Sequence, residues 1–345
     1  MGRVVKAARI QGGPRFLMVS WIRYNPRSRD LARALGAQAV YMSWAWHGQS
    51  LARTSLGWLR SSLRTCRAVR SLPSDSVVVA MAPPVFSPLV ALLATHGRDV
   101  HLAIDLHSGG LNDARWRWSF GLMRWAIRRA EAVIVTNPDL LEGQDTGTTP
   151  VLVIHDPFWV GERPEAGPAP MPGRPYAVFP ASGASDEPID ALAEAAALLT
   201  GRVEVVVTGD RPPRGETPGL RFTGFLPVGE FQSLMAHATV VLALTTREAT
   251  MQRAAYEGLQ LGRPLVCSDT GVLRRVLANA AVFVEDTGPA IAAGISEAMT
   301  RADQLEAAGE AVRATIRADS ERGLAAVWAL SGAKSHPANL RRPGP

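Results

Sequence analysis

Twelve short apolar runs, rich in β-branched residues and separated by helical patterns, constrain this chain more than any other feature. In the first half they are Phe16–Trp21, Ala39–Trp44, Ser76–Met81, His101–His107, Ala132–Asn137 and Val151–Asp156. In the second they are Tyr176–Ser182, Val203–Asp210, Leu220–Leu226, Ala238–Thr246, Pro264–Thr270 and Ala281–Asp286. Runs this short, apolar throughout rather than alternating, mark strands buried on both faces. Strands that alternate with helices form parallel sheets clothed by helices on both sides. Two such sets predict two doubly wound α/β domains. Between them, Pro157–Pro175 holds six prolines and three glycines, a composition that continues neither element type. We therefore expect domains over 1–160 and 176–330, a linker over 161–175, and a disordered tail over 331–345.

A chain of 345 residues with 47% hydrophobic content can bury two full cores. The longest apolar stretch, Val77–Ala94, is interrupted by Pro83, Pro84 and Pro88, so it reads as strand, turn and helix rather than a membrane span. The amino terminus lacks an apolar signal core, which predicts a cytoplasmic protein. Cys66 and Cys267 fall on a predicted helix and strand and read as reduced core thiols. The net charge of +6 is uneven: Lys and Arg outnumber Asp and Glu by 20 to 12 in Met1–Glu165, against 17 to 19 in the remainder. A basic first half points to nucleic acid or an anionic membrane face.

The most informative stretch is Thr245–Asp269. A buried strand enters a turn, and a helix is predicted from about Ala249 to Leu261, closed by Gly262 and Pro264. A strand feeding a polar helix terminus offers free N–H groups and a positive dipole end to a phosphate. Arg253 adds a bidentate donor for a diphosphate, and Glu257 can accept from ribose hydroxyls. Against this stands a plain surface pair between Arg253 and Glu257, worth only ~0.2–0.5 kcal/mol.

This helix and the strand after it resemble the donor-binding segment of GT-B glycosyltransferases, in which E-x7-E is followed by G-x-P-V-V. Glu257, Gly262, Pro264, Leu265 and Val266 fall in register, while Glu248 lies nine residues before Glu257 and Ala249 holds the expected glutamate position. The surrounding LTTRxxTMQRxAYE resembles a bacterial polysaccharide-assembly branch, similar to the dolichol-linked β-mannosyltransferase family in carrying D-x-H, here Asp105 and His107. The resemblance spans about Phe16 to Leu330. It implies two Rossmann-like domains facing across a cleft, with donor contacts from Glu257, Arg253, Thr250, Gln252 and Arg247. It further implies a glycine-arginine and lysine clamp after the strand at Tyr176; FPASGASDE has neither base, and leaves the amides of Ser182 and Gly183 for the phosphates. Thr208–Asp210 and Thr223–Leu226 match positions that hold the nucleobase.

Two further elements bear on function. Asp105 and His107 project from one face at a strand's carboxyl end, where ligands of such sheets bind. A neutral His107 can take the proton of an acceptor hydroxyl while Asp105 orients it; a structural histidine is the other reading. Pro26 opens a helix whose Arg27 and Arg29 line the acceptor side of a GT-B enzyme or are simply solvated. On a predicted helix over Asn112–Glu131, Trp116, Phe120, Met123 and Ile127 make one stripe. Trp118, Leu122 and Trp125 make a second, bounded by Arg117, Arg124 and Arg128. That second stripe suits an anionic membrane surface or packs under a neighbouring helix. The helix Ser50–Ser71 carries Arg53, Arg60, Arg64 and Arg67 beside Leu56, Leu59, Leu63 and Cys66, and a solvated basic face explains it.

No D-x-D, no G-x-G-x-x-G after a first strand, no Walker loop and no metal-spaced His/Cys set occurs. The expectation is a metal-independent glycosyltransferase without a cofactor, moving a sugar from a nucleoside diphosphate sugar to a saccharide or polyprenyl-linked acceptor at the inner membrane face. Its partners are the nucleotide sugar, that acceptor and an anionic membrane surface, with no nucleic acid. The alternative is a non-catalytic, membrane-docked GT-B-like scaffold subunit.

Overall fold

The computed structural model describes residues 4–5, 16–22, 25–42, 51–112, 114–156, 167–171, 173–209 and 218–332. Residues 161–166 and 172 of the expected linker, Asp210 and the tail beyond 332 lie outside them. The chain divides into two units, Met1–Gly161 with Arg317–Pro345, and Glu162–Ile316.

Each of the predicted apolar runs overlaps a strand. The first unit holds β1 (Val4–Val5), β2 (Phe16–Ser20), β3 (Gln38–Tyr41), β4 (Ser76–Ala82), β5 (Val100–Leu106), β6 (Ala132–Val135) and β7 (Val151–Val153). They form one sheet in the order β1-β3-β2-β4-β5-β6-β7. All its pairings are parallel except β1, a short antiparallel edge against β3 that the hydrophobic pattern did not announce. The helices are α1 (Pro26–Leu35), α2 (Leu51–Arg70), α3 (Phe86–Thr95), α4 (Gly109–Asn112) and α5 (Phe120–Ile127), with a 3-10 helix at Ala114–Ser119.

The second unit holds β8 (Tyr176–Pro180), β9 (Glu204–Thr208), β10 (Leu220–Phe222), β11 (Val240–Ala243), β12 (Leu265–Ser268) and β13 (Ala281–Val284). Their order, β10-β9-β8-β11-β12-β13, is parallel throughout. The sequence order reverses between β8 and β11, the switch point where ligands of open α/β sheets bind beyond the strand ends. The helices are α6 (Ile189–Leu198), α7 (Val228–His237), α8 (Arg253–Leu261), α9 (Gly271–Leu277), α10 (Gly288–Thr300) and α11 (Ala302–Ala329).

Each unit has its own core. Val205, Val207, Val240 and Leu242 pack on Leu192, Ile291 and Ile295 in the second. In the first, Phe16, Met18, Val77, Val79 and Ile134 pack on Leu31 and Leu35, joined by Leu324, Val327 and Trp328. Those last three come from the carboxyl half of α11, and Trp328 lies 4.3 Å from the ring of Phe16. Both cysteines are free, and burial pushes the Cys267 thiol pKa up.

Candidate active site

The first unit's candidate residues sit at the carboxyl ends of β2, β5 and β7. Asn25 caps α1 by accepting from the Ser28 N–H at 3.0 Å, and Pro26 opens the helix. This turns Arg27 inward rather than out to solvent, and its side chain is buried. It donates from Nη2 and Nε to Asp105 Oδ1 at 2.8 and 3.0 Å, and from Nη1 to the Ile154 carbonyl and Asp156 Oδ1 at 2.9 and 3.1 Å. The solvated reading of Arg27 is therefore corrected: a fork of donors meets a ready-made set of acceptors, so burial leaves no charge unpaired.

Asp105 has no solvent exposure, and its second oxygen lies 3.0 Å from His107 Nε2. Burial alone would raise its pKa, but the guanidinium of Arg27 and the His107 ring outweigh that and hold it at about 2. An ionised carboxylate only accepts, so Nε2 carries the proton and Nδ1 is the ring's open nitrogen. The His107 backbone is tied on both sides, its N–H to the Ala82 carbonyl and its carbonyl to the Gly110 N–H, each at 2.8 Å. At the far end of β5, the ligand atoms of Asp75, Asp99 and His101 lie close together on the exposed surface, a grouping the residue spacing did not reveal.

In the second unit, α8 begins at Arg253, four residues later than its predicted start. Thr245–Gln252 forms a loop instead, because its hydroxyls and backbone find closer partners. Thr245 Oγ1 accepts from the Arg247 N–H at 3.2 Å and donates to Asp186 at 2.7 Å, while the Thr246 N–H reaches the Asp186 carbonyl at 2.9 Å. Thr250 thus lies in a turn, its N–H 3.4 Å from the Arg247 carbonyl. Gln252 is the α8 N-cap residue, and its side chain donates to the Leu244 carbonyl rather than to the helix. Arg247 lies 3.4 Å from Asp186. Arg253 and Glu257 form the i,i+4 ion pair at 2.8 Å, both partly exposed.

The amides expected to meet the donor phosphates are engaged. Ser182 donates to Glu187 Oε1 from both its N–H and its hydroxyl, each at 2.6 Å, and the Gly183 N–H donates to Oε2 at 3.0 Å. A carboxylate occupies the nest where a phosphate was expected. Glu248, the glutamate out of step, accepts from the Gly271 N–H at the start of α9 at 2.6 Å. The loops after β9 and β10 meet through Gly209 N–H and the Gly224 carbonyl at 3.0 Å. Gly209 has φ +99°, and an added Cβ would lie 2.6 Å from the Ala181 carbonyl oxygen, so only glycine fits.

The predicted long helix over Asn112–Glu131 is broken into α4, the 3-10 helix and α5. Its two stripes survive the break. Trp116, Met123 and Ile127 are buried, whereas Trp118, Leu122 and Trp125 stand in solvent, Trp118 at 59% exposure. Arg128 pairs with Asp145, Arg124 donates to Gln144 at 3.1 Å, and Arg129 stacks 4.1 Å over Trp125. The apolar stripe of α2 is exposed as well, at Leu56, Leu59 and Leu63. Trp58, Phe86 and Trp118 link the two rows, with ring centroids 4.4 and 5.9 Å apart. Among the described residues no helix is long and apolar enough to cross a membrane.

Two Rossmann-like units of this topology define a chain of the GT-B type. Within it, residues 174–301, inside the second unit, match the family model described as Glycosyl transferases group 1. Solved structures agree on the fold. HepE of Anabaena in complex with UDP-glucose aligns at a TM-score of 0.66 and 14% identity, over 90% of this chain and 98% of that one. A glycosyltransferase from Rickettsia africae aligns at 0.66 and 13% identity, over 94% and 100%. An Escherichia coli structure described as trehalose-6-phosphate, bound with UDP-2-fluoro glucose, aligns at 0.67 and 12%, over 92% and 99%. No curated protein matches the chain in sequence.

Proposed function

We propose that the chain is a glycosyltransferase that takes a hexose or similar sugar from a nucleoside diphosphate sugar and delivers it to a saccharide or lipid-linked hydroxyl. The observation that carries this reading is the match of residues 174–301 to a glycosyl transferase domain. It is supported by neighbours of the same fold whose structures contain UDP-glucose and a fluorinated analogue.

In this reading the second unit holds the donor. Glu257 receives the ribose hydroxyls, and Arg253 exchanges part of its pairing with Glu257 for the diphosphate. Arg247 and the amides before α8 add to the positive field, which acts most strongly as the leaving diphosphate gains charge. Glu187 already fills the Ser182–Gly183 nest, so the two arginines carry more of the phosphate neutralisation. The first unit supplies the base. His107 Nδ1 takes the acceptor proton as the acceptor oxygen bonds the anomeric carbon and the bond to the diphosphate breaks. Such assistance is worth typically ~10²–10⁴-fold.

We further propose that the first unit rests on an anionic membrane surface. The exposed rows of α2 and α5, joined through Phe86 and flanked by Arg60, Arg64, Arg67 and Arg117, favour it. The chain then works at the inner membrane face, with no metal and no cofactor.

Mass spectrometry of the protein incubated with a panel of nucleotide sugars and candidate acceptors tests the reaction. Transfer by the wild type and its loss in His107→Ala, with donor binding kept, is the expected result. Binding without hydrolysis or transfer across the panel would instead establish a scaffold.

A further inference from the structure

Arg27 has no place in the donor-binding or D-x-H patterns, yet it is the most enclosed cation at the candidate site. Its five-donor fork is divided among three acceptor residues at two strand ends: Asp105 near the carboxyl end of β5, and the Ile154 carbonyl and Asp156 beyond β7. Asp105 divides its oxygens in turn, Oδ1 to Arg27 and Oδ2 to His107. A carboxylate held only by a histidine can rotate and offer either oxygen, or take up a proton. One pinned from behind by a bidentate guanidinium cannot rotate without breaking two charge-assisted bonds.

We propose that Arg27 is a positioning residue that acts on the acceptor proton through Asp105: by locking that carboxylate it keeps the His107 proton on Nε2 and the Nδ1 lone pair turned to the acceptor. The proposal rests on the reading of His107 as the base. The step itself moves one proton, from the acceptor hydroxyl to Nδ1, and Arg27 neither gains nor loses one. Asp156 and the Ile154 carbonyl hold Arg27 itself. Nearby His155 belongs to a different contact, 3.7 Å from Asp319 on α11. Among the described residues no hydrogen bond to Nδ1 competes with a substrate.

The tautomer can be read without any assay of transfer. Nitrogen-15 spectra of protein labelled at histidine, assigned with His107→Gln, should show the neutral His107 ring as the Nε2–H form in the wild type. Arg27→Lys keeps a charge but loses the fork, and should mix in the Nδ1–H form. Asp156→Asn, which loosens Arg27 without touching Asp105 or His107, should do so to a smaller degree and guards against a lysine variant that fails to fold. In steady-state assays kcat should fall about 10–100-fold in Arg27→Lys with donor KM unchanged, a fraction of the full general-base contribution. An unchanged His107 spectrum in both folded variants, or a wild-type ring protonated on Nδ1, overturns the proposal while leaving the glycosyltransferase reading intact. The expected spectra in a chain with no transfer to any acceptor would sustain the positioning and remove the activity.

Discussion

Asp105 and Arg27 illustrate what residue-scale reading does and does not deliver. The pairing of Asp105 with His107 was legible because i and i+2 on a strand share a face. The Arg27 fork was not, because its partners lie 78 and 129 residues away in sequence and local pattern carries no trace of them. Only the inward turn set by Asn25 and Pro26 brings them together. Two outcomes are expected at this scale. Asp105→Asn removes the fixed acceptor for Nε2–H, and kcat should drop by ~10²–10⁴-fold with nucleotide binding unaltered, as steady-state kinetics and calorimetry would show. It also leaves Arg27 short of one counter-charge, so the melting temperature should fall; breaking a buried pair costs about 3–5 kcal/mol. In the second unit, Glu257→Ala should abolish measurable UDP binding in a titration calorimeter. Unchanged affinity would reduce the Arg253–Glu257 contact to the surface pair that its geometry also describes.

At the scale of elements, the helix predicted from about Ala249 is present as α8 but starts late, because Thr245, Thr246 and Asp186 organise the preceding loop. Helix periodicity cannot see such side-chain-to-backbone competition. Where α8 meets the sheet the fit is tight. A Cβ on Gly258 would lie 2.4 Å from Leu265 Cδ2 and 3.2 Å from Val241. Gly258→Ala should therefore destabilise by roughly 1–3 kcal/mol through overpacking, despite the higher helix propensity of alanine, and a denaturant titration would measure it. The first unit's helices give the opposite lesson. Periodicity found both stripes of the tryptophan helix, yet it could not say that the leucine stripe of α2 would also stand in solvent. That depends on what fails to pack against it. With both rows exposed, Trp118→Ala/Trp125→Ala and Leu59→Asp should each weaken cosedimentation with anionic liposomes several-fold, while melting temperatures hold. Retained binding in both variants would remove the membrane surface from the function.

For the whole molecule, the twelve apolar runs disclosed both sheets, since buried parallel strands must be apolar along their length. They did not disclose that the carboxyl half of α11 completes the first unit's core through Leu324, Val327 and Trp328. An amphipathic helix does not state which core it serves. Its seat is polar as well as apolar: Ser320 Oγ accepts from the His155 N–H at 3.1 Å, and the His155 ring lies 3.7 Å from Asp319, within electrostatic reach of Arg27 and Asp156. Burial is the main reason the His155 pKa is pushed down, to about 4, with Asp319 opposing and Arg27 adding to the shift. The folded chain then keeps this ring neutral where the unfolded chain, with an ordinary value near ~6.5, takes up a proton. Unfolding binds that proton, so the stability held above about pH 6.5 is lost progressively as pH falls toward 4, and this group adds no further loss below. Asp105 acts lower, its contribution fading only from about pH 4 toward 2. Thermal denaturation followed from pH 7.5 to 4 in steps should show the melting temperature falling across the histidine window. His155→Gln, which has no proton to gain there, should flatten that part of the curve. A variant curve parallel to the wild type would mean that the seat of α11 on the first unit does not depend on a neutral ring.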